Sequence, residues 1–294
     1  MAFAMSTLFL PAFCEQEPQA AAKAWTVAIA PEFHFNQDLH TFYFQKDSTF
    51  RNRYFIEWNS GAELAFFSIN KRFLLFIDMT VTVGLGKWAE ADKPILFDPR
   101  EVDVGFGPKF EYRLSPVNIN FGLDHHCFHQ IDSDPTAAGT QQFQKVMYWN
   151  KLTLNVMSKQ FRPEAFRQAI ADSNKLTWKN RIGWQAGITY SIHDFFGMDT
   201  SILSWNQPYL IDLVGQVRFA AYRSMGWALV LNAITGAYYE RTNITRWNQQ
   251  LGMELLSTQG VFGLDLFVNW VVLDQLPPRQ NKDGLLLVGI NGFN

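Results

Sequence analysis

Apolar and polar side chains alternate strictly between Val102 and Leu114. One set is apolar (Val102, Val104, Phe106, Pro108, Phe110, Tyr112, Leu114), and the set between is polar or glycine (Asp103, Gly105, Gly107, Lys109, Glu111, Arg113). Because successive side chains of a β-strand point to opposite faces, this segment predicts a strand with one apolar and one polar side. The pattern recurs along nearly the whole chain, with aromatic residues towards the strand ends. It favours an all-β fold, a transmembrane antiparallel β-barrel.

The composition agrees with a barrel. Of 294 residues, 48% are hydrophobic and 16% aromatic, yet the mean hydropathy is slightly negative, −0.10, because a polar lining would offset an apolar outer surface. The sequence contains no run of about 18 apolar residues, which is the length that would predict a transmembrane helix. The net charge of −2 and the lack of a basic block argue against a nucleic-acid partner. Two cysteines provide no disulfide framework.

The first residues are typical of an export signal. Met1 to Cys14 is short and apolar, and small residues flank Phe13 in Ala12-Phe13-Cys14, as a signal peptidase requires. We predict a signal peptide and N-terminal segment over residues 1–23, followed by an outer-membrane β-barrel over residues 24–294. The alternative, a lipoprotein signal with an acylated Cys14, is disfavoured because Phe13 occupies a position where a small residue is expected.

The alternation predicts about 12 strands, an even number that suits a closed bacterial barrel. Their predicted limits are Trp25–Asn36, Tyr54–Ile69, Arg72–Gly86, Val102–Leu114, Val117–His129, Val146–Met157, Lys179–Ile192, Tyr209–Tyr222, Trp227–Glu240, Thr245–Leu256, Val261–Leu273 and Gly284–Phe293. Tight connections such as Asn70-Lys71 alternate with long ones such as Asp132 to Lys145. Short turns belong on the periplasmic side of an outer-membrane barrel, so both termini are expected in the periplasm.

Two segments at the periplasmic side stand out. Lys159 to Trp178 is long where a short turn is expected, and its Pro163, Phe166, Ile170 spacing predicts a short amphipathic helix against the inner rim. The chain ends in Phe293-Asn294. That ending resembles the aromatic-terminated last strand by which the barrel assembly machinery recognises its clients, so this machinery is an expected partner.

Polar side chains interrupt the apolar face of two neighbouring strands. In phase with Phe121 and Leu123, the fifth strand carries His125, Cys127 and His129, and the sixth carries Asn150. Unsatisfied polar groups on a lipid-facing surface cost about one to a few kcal/mol, so partners are expected. Antiparallel pairing across the intervening loop brings Asn150 within reach of His125. A nucleophile, a base and an orienting amide then lie together, as in acyl-transfer enzymes.

These residues resemble a known family. The strand count, the His125 and Cys127 pair two residues apart, and Trp149-Asn150 on the next strand look like the outer-membrane phospholipase A of Gram-negative bacteria. The stretch from Asp103 to Asp132 also looks like a group of uncharacterised barrels that carry His-x-Ser-Ser-His. Two departures are the replacement of the serine by Cys127 and a longer loop before Asn150.

The phospholipase resemblance implies further expectations. Catalysis would use His125, Cys127 and Asn150 on membrane lipids, and calcium could bridge Asp132 and Asp134 at the start of the loop. Homodimerisation is a further expectation. A metal site formed by the neighbouring histidines is disfavoured, because His126 points to the face opposite His125 and His129.

Two functions remain open from the sequence. In the first, a lipid acyl hydrolase, His125 takes the proton of Cys127, Asn150 orients His125, and the thiolate attacks a phospholipid ester. In the second, the barrel is non-catalytic and has a structural role, forms a narrow pore or mediates adhesion through its outer loops.

Overall fold

The computed structural model describes residues 27–29, 32–43, 54–86, 98–130, 145–172, 176–198, 209–241, 243–275 and 282–294. The predicted signal segment, Asp132 and Asp134 lie outside the described residues.

Strands make up most of the described chain. In order, the elements are β1 Val27–Ala28, β2 Glu32–Tyr43, β3 Tyr54–Ile69, β4 Phe73–Gly86, β5 Asp98–Arg113, β6 Val117–Gln130, β7 Lys145–Ser158, α1 Pro163–Ala171, α2 Trp178–Arg181, β8 Ile182–Met198, β9 Tyr209–Ser224, β10 Trp227–Glu240, β11 Thr245–Ser257, β12 Gly263–Asp274 and β13 Leu286–Phe293.

The twelve strands β2 to β13 form a closed antiparallel barrel, as predicted. Each strand pairs with the next along the chain, and β13 closes the ring on β2 with Phe293 opposite Asn36. The two residues of β1 pair with β3, at Ile69 and Ser68, and so continue the line of β2 along that strand. Closure pairs the backbone N–H and C=O groups of the two edge strands, which would have no hydrogen-bond partners in an open sheet.

Several predicted strand limits differ from the structure, and the differences at β2 and β8 have an identifiable physical cause. The first strand was expected to end at Asn36, but β2 continues to Tyr43. The alternation did not predict this extension, because the extension contains polar residues. His40, for example, is polar and yet buried, because it faces the interior. The seventh strand was expected to begin at Lys179, which instead lies in the helical turn α2. Thr177 starts this turn by donating its backbone N–H to Asn180 Oδ1 at 2.7 Å.

The two faces of the barrel have opposite chemistry. Outward side chains are apolar and exposed, for example Phe121 (47%) and Leu251 (50%). Inward side chains are charged and paired: Lys151 Nζ lies 2.6 Å from Asp212 Oδ2, and Arg218 pairs with Glu254. An apolar outer surface around a polar interior is the arrangement of a barrel that spans a lipid bilayer.

One end of the barrel carries the three tightest turns between the described strands. They connect β3 to β4, β5 to β6, and β9 to β10 within two or three residues. Asn70 and Lys71, with φ of 53° and 56°, give the first of these turns the left-handed conformation that suits a two-residue hairpin. By the rule for bacterial barrels, this is the periplasmic end, and Val27 and Asn294 both lie there.

Helix α1 lies inside the periplasmic end, as the sequence predicted. Phe166 and Ile170 are fully buried, and they pack against inward apolar side chains of four strands: Ala220, Ala228, Val230, Leu256 and Phe293. Arg223 fixes the helix C-terminus by donating to Ile170 O at 2.6 Å and Ala171 O at 3.0 Å. In the part of the chain that the structure describes, neither helix has the length and apolar character to cross a membrane.

Candidate active site on the outer face

Strands β6 and β7 place the predicted site residues side by side. In their antiparallel register His125 lies directly opposite Asn150, and Cys127 lies opposite Tyr148. His125, Cys127 and His129 continue the alternation of the exposed Phe121 and Leu123, so all three point out of the barrel.

His125 is held by Asn150. Its Nδ1 lies 2.8 Å from Asn150 Oδ1, the contact that the sequence predicted. Because an amide oxygen only accepts, Nδ1 carries the hydrogen and Nε2 of the neutral ring keeps its lone pair. The ring also packs against Phe106 and Tyr148, with centroid distances of 5.0 and 6.3 Å. These contacts leave Nε2 as the nitrogen that can exchange protons.

The Cys127 thiol contacts a different histidine from the one expected. Its Sγ lies 2.7 Å from His129 Nε2, whereas the sequence predicts His125 as the base for this thiol. Both histidines lie two residues from Cys127 on the same face, so the spacing alone gave no preference between them. His129 is thus a site residue whose contact with the thiol was not anticipated, although its position was noted.

His126 belongs to the interior of the barrel. Its ring stacks on Trp149 at a centroid distance of 5.4 Å and an interplanar angle of 10°. Its Nδ1 lies 3.5 Å from Asp103 Oδ1. This placement separates His126 from His125 and His129, as the alternation predicted.

The described residues contain no cluster of three or more His, Cys, Asp or Glu side chains that could hold a metal ion. The calcium site expected at Asp132 and Asp134 lies outside the described residues and stays a prediction.

The site lies in the extracellular half of the barrel wall. His125 and Cys127 come five and three residues before Gln130, where β6 ends, which is about 16 and 10 Å along a strand. The periplasmic turn before Val117 is farther away. On the outward surface of a membrane barrel, a polar group costs less towards the strand ends than at mid-membrane.

Comparisons with known proteins find likeness in structure only. No family model matches the sequence, and no curated protein matches it significantly.

Among solved structures, the outer membrane phospholipase A from Escherichia coli is similar at 12% identity, covering 90% of this chain and 94% of that one, with a TM-score of 0.47. An outer membrane channel from Pseudomonas putida F1 is similar at 9% identity, with coverages of 94% and 98% and a TM-score of 0.46. The translocator domain of the autotransporter NalP from Neisseria meningitidis is similar at 8% identity, with coverages of 94% and 89% and a TM-score of 0.40.

These three proteins differ in function, and likenesses this distant carry no argument about activity. The closed sheet and the apolar outer surface carry the conclusion instead. The chain is a twelve-strand transmembrane β-barrel of the bacterial outer membrane, in contact with lipid.

Proposed function

We propose that this barrel is a lipid acyl hydrolase whose nucleophile is Cys127. The observation that carries the proposal is the hydrogen bond of 2.8 Å between His125 and Asn150 on the outward face, beside a thiol that itself contacts His129 at 2.7 Å. A nucleophile, two imidazoles and an orienting amide therefore share one patch that faces lipid. Together they supply the groups that acyl transfer requires.

The first half of the reaction forms a thioester. The thiol proton passes to His129 Nε2, which is already in contact with Sγ, and the thiolate adds to the ester carbonyl carbon of a phospholipid. The carbon–oxygen bond to the glycerol breaks, and the leaving alkoxide takes the proton from the His129 imidazolium. The acyl chain is then bound to Cys127 as a thioester.

The second half releases the fatty acid. We assign His125 to this step, because Asn150 fixes its Nδ1 and leaves Nε2 free to accept a proton from water. The resulting hydroxide adds to the thioester carbonyl, the carbon–sulfur bond breaks, and the thiolate takes up the proton that the His125 imidazolium releases. Asn150 acts only through His125 and is a positioning residue.

The position of the site suits a substrate that arrives sideways through the bilayer. Phe106, half exposed on the neighbouring strand, packs against His125, and Phe121 and Leu123 continue the apolar surface towards mid-membrane. An acyl chain can therefore lie along this surface while its ester stays near the polar boundary. Head-group contacts and calcium at Asp132 and Asp134 remain part of the proposal.

The test is release of fatty acid by the refolded barrel in phospholipid–detergent micelles with calcium. We expect Cys127→Ala to remove the activity and Asn150→Ala to lower it by about tenfold or more, because a misoriented base loses much of its effect. Gln249→Ala is the matched control, since Gln249 is also polar and exposed but lies on β11, four strands from β7. Heat-modifiable migration on a gel verifies that each variant is folded.

Three results would contradict the hydrolase proposal. They are no release from a folded wild-type barrel, equal release by Cys127→Ala, and loss of activity in Gln249→Ala as large as in Asn150→Ala. No release would favour the non-catalytic alternative.

A further inference from the structure

A second site-like feature lies inside the barrel at its periplasmic end. Helix α1 fills one side of the lumen there and leaves a cavity of about 640 Å³ against the wall formed by β2, the β3–β4 turn, and the ends of β5 to β7. Cavities of this size accept small ligands or the head group of a lipid. The cavity is separate from the outward-facing site on β6 and β7, which lies on the other side of the wall.

The charges around the cavity are mainly positive. Five cationic side chains line it (Lys71, Arg72, Arg113, Lys159 and Arg162), against two carboxylates, Glu32 and Glu164. Surrounding charges of one sign favour a ligand of the opposite sign, and the low dielectric of the walls strengthens the effect.

Two of the five cations are already neutralised. Arg113 lies 2.7 Å from Glu32 and 2.7 Å from Glu111, and Arg162 lies 2.8 Å from Glu111 and 3.0 Å from Glu63. These pairs tie α1 to the barrel wall and shape the cavity. They do not supply its excess of positive charge.

The other three cations supply that excess. Lys71, Arg72 and Lys159 are exposed at the cavity mouth. Among the described residues, no carboxylate forms an ion pair with any of them. Two of them lie on the β3–β4 turn and the third lies just beyond β7, so they approach the cavity from two directions.

A buried polar atom in the cavity has no partner among the described residues. Asn118 on β6 is only 7% exposed and lines the cavity, and its Oδ1 accepts no hydrogen bond from the part of the chain that the structure describes. Leaving a buried acceptor unsatisfied costs about 1–3 kcal/mol, so a ligand that donates a hydrogen bond there would be favoured.

The start of α1 adds to the preference for an anion. Its N-cap residue, Arg162, makes no side-chain cap hydrogen bond with the described residues. Arg162 and Glu164 line the cavity, so the positive end of the helix dipole lies beside it. Glu164 in the first turn opposes this effect, and burial raises the pKa of its carboxyl group.

We propose that this cavity binds a phosphate-bearing ligand that also carries a hydroxyl group and enters from the periplasm. The phosphate oxygens accept from Lys71, Arg72 and Lys159, which act as charge-assisted donors. The hydroxyl donates to Asn118 Oδ1. Two sources share this chemistry: a soluble phosphate ester, and the head group of a phospholipid such as phosphatidylglycerol in the inner leaflet.

The soluble source is tested by calorimetric titration of the detergent-solubilised barrel with glycerol 3-phosphate, which carries both groups. Saturable binding that weakens as salt rises is expected. The triple variant Lys71→Ala/Arg72→Ala/Lys159→Ala should lower the affinity by at least about tenfold, equivalent to about 1.4 kcal/mol. Lys179→Ala is the matched control, because Lys179 is an exposed lysine of α2 near the same end of the barrel but does not line the cavity.

The lipid source is tested with the barrel in phosphatidylcholine nanodiscs, with and without phosphatidylglycerol. Native mass spectrometry then counts phosphatidylglycerol retained by the wild type and lost from the triple variant. Asn118→Leu should weaken whichever probe binds, and it leaves every cation in place.

Binding of one probe and not the other identifies the source and supports the proposal. The proposal is overturned if neither probe binds the folded wild type, if the triple variant binds as tightly as the wild type, or if an acidic peptide binds while both phosphate probes fail.

Discussion

Cys127 is flanked by two histidines that differ in their contacts. His129 touches the thiol at 2.7 Å, while His125 is 2.8 Å from Asn150. Both lie two residues from Cys127 on one face. Position along the strand therefore does not distinguish which imidazole activates the thiol.

Alkylation kinetics answer that question. At neutral pH we expect His129→Ala to slow the reaction of Cys127 with iodoacetamide by about tenfold, because the neighbouring imidazole no longer accepts the thiol proton and the thiolate fraction falls. His125→Ala should leave the rate nearly unchanged, and it serves as the matched control. The reverse order of effects would return the thiol to His125, as the sequence alone suggested.

The contact between Asn150 and His125 could be predicted from the sequence, because it depends on only two quantities, the face and the register of the two strands. Strand alternation fixes the face, and the register of antiparallel pairing across the loop need only agree within about two residues for Asn150 to reach His125. The choice between His125 and His129 could not be predicted, because it depends on side-chain rotamers that identical spacing leaves undetermined.

At the scale of elements, helix α1 shows what an amphipathic spacing can predict. Pro163, Phe166 and Ile170 suggested a helix against the inner rim, and Phe166 and Ile170 are fully buried there. The partners of Arg162 on β3 and β5 could not be predicted, because they require the closed barrel to bring Glu63 and Glu111 to the helix.

The stability of the barrel should depend on this helix. Phe166→Ala is expected to lower the free energy of unfolding by about 3–5 kcal/mol, since it removes a fully buried ring from a packed cluster. Urea-induced unfolding in detergent measures the change. Gln168→Ala, an exposed position on the same helix, should have little effect. A Phe166→Ala change below about 1 kcal/mol would mean that α1 does not pack in the lumen.

In the barrel as a whole, the outward face is apolar and the inward face is polar, which is the reverse of the arrangement in a soluble barrel. Alternation predicted which residues share a face, and the even strand count predicted closure. The interior ion pairs join residues far apart in sequence, such as Lys151 and Asp212. The sequence alone could not predict these ion pairs, because the proximity of their partners depends on the strand order and stagger of the closed sheet.

A charge on the outer surface tests membrane insertion of the whole barrel. Val217, exposed near the middle of β9, should tolerate arginine poorly: Val217→Arg is expected to cost about 2–4 kcal/mol of folding free energy in phospholipid vesicles. Tyr222→Arg, on the same strand and also exposed but near the periplasmic turn, should cost about 0–1 kcal/mol. Equal costs at the two positions would indicate that no apolar bilayer core surrounds β9.

If an outward-facing thiol takes the acyl group from membrane lipid, as we propose, the mass of Cys127 changes after incubation with phospholipid. We predict a fatty-acyl adduct on the peptide that contains Cys127, removed by hydroxylamine as a thioester must be, and more abundant in His125→Ala because the second step is slowed. Release of fatty acid with no adduct on Cys127 in either protein, or an unmodified thiol and no release at all, would rule out Cys127 as the nucleophile.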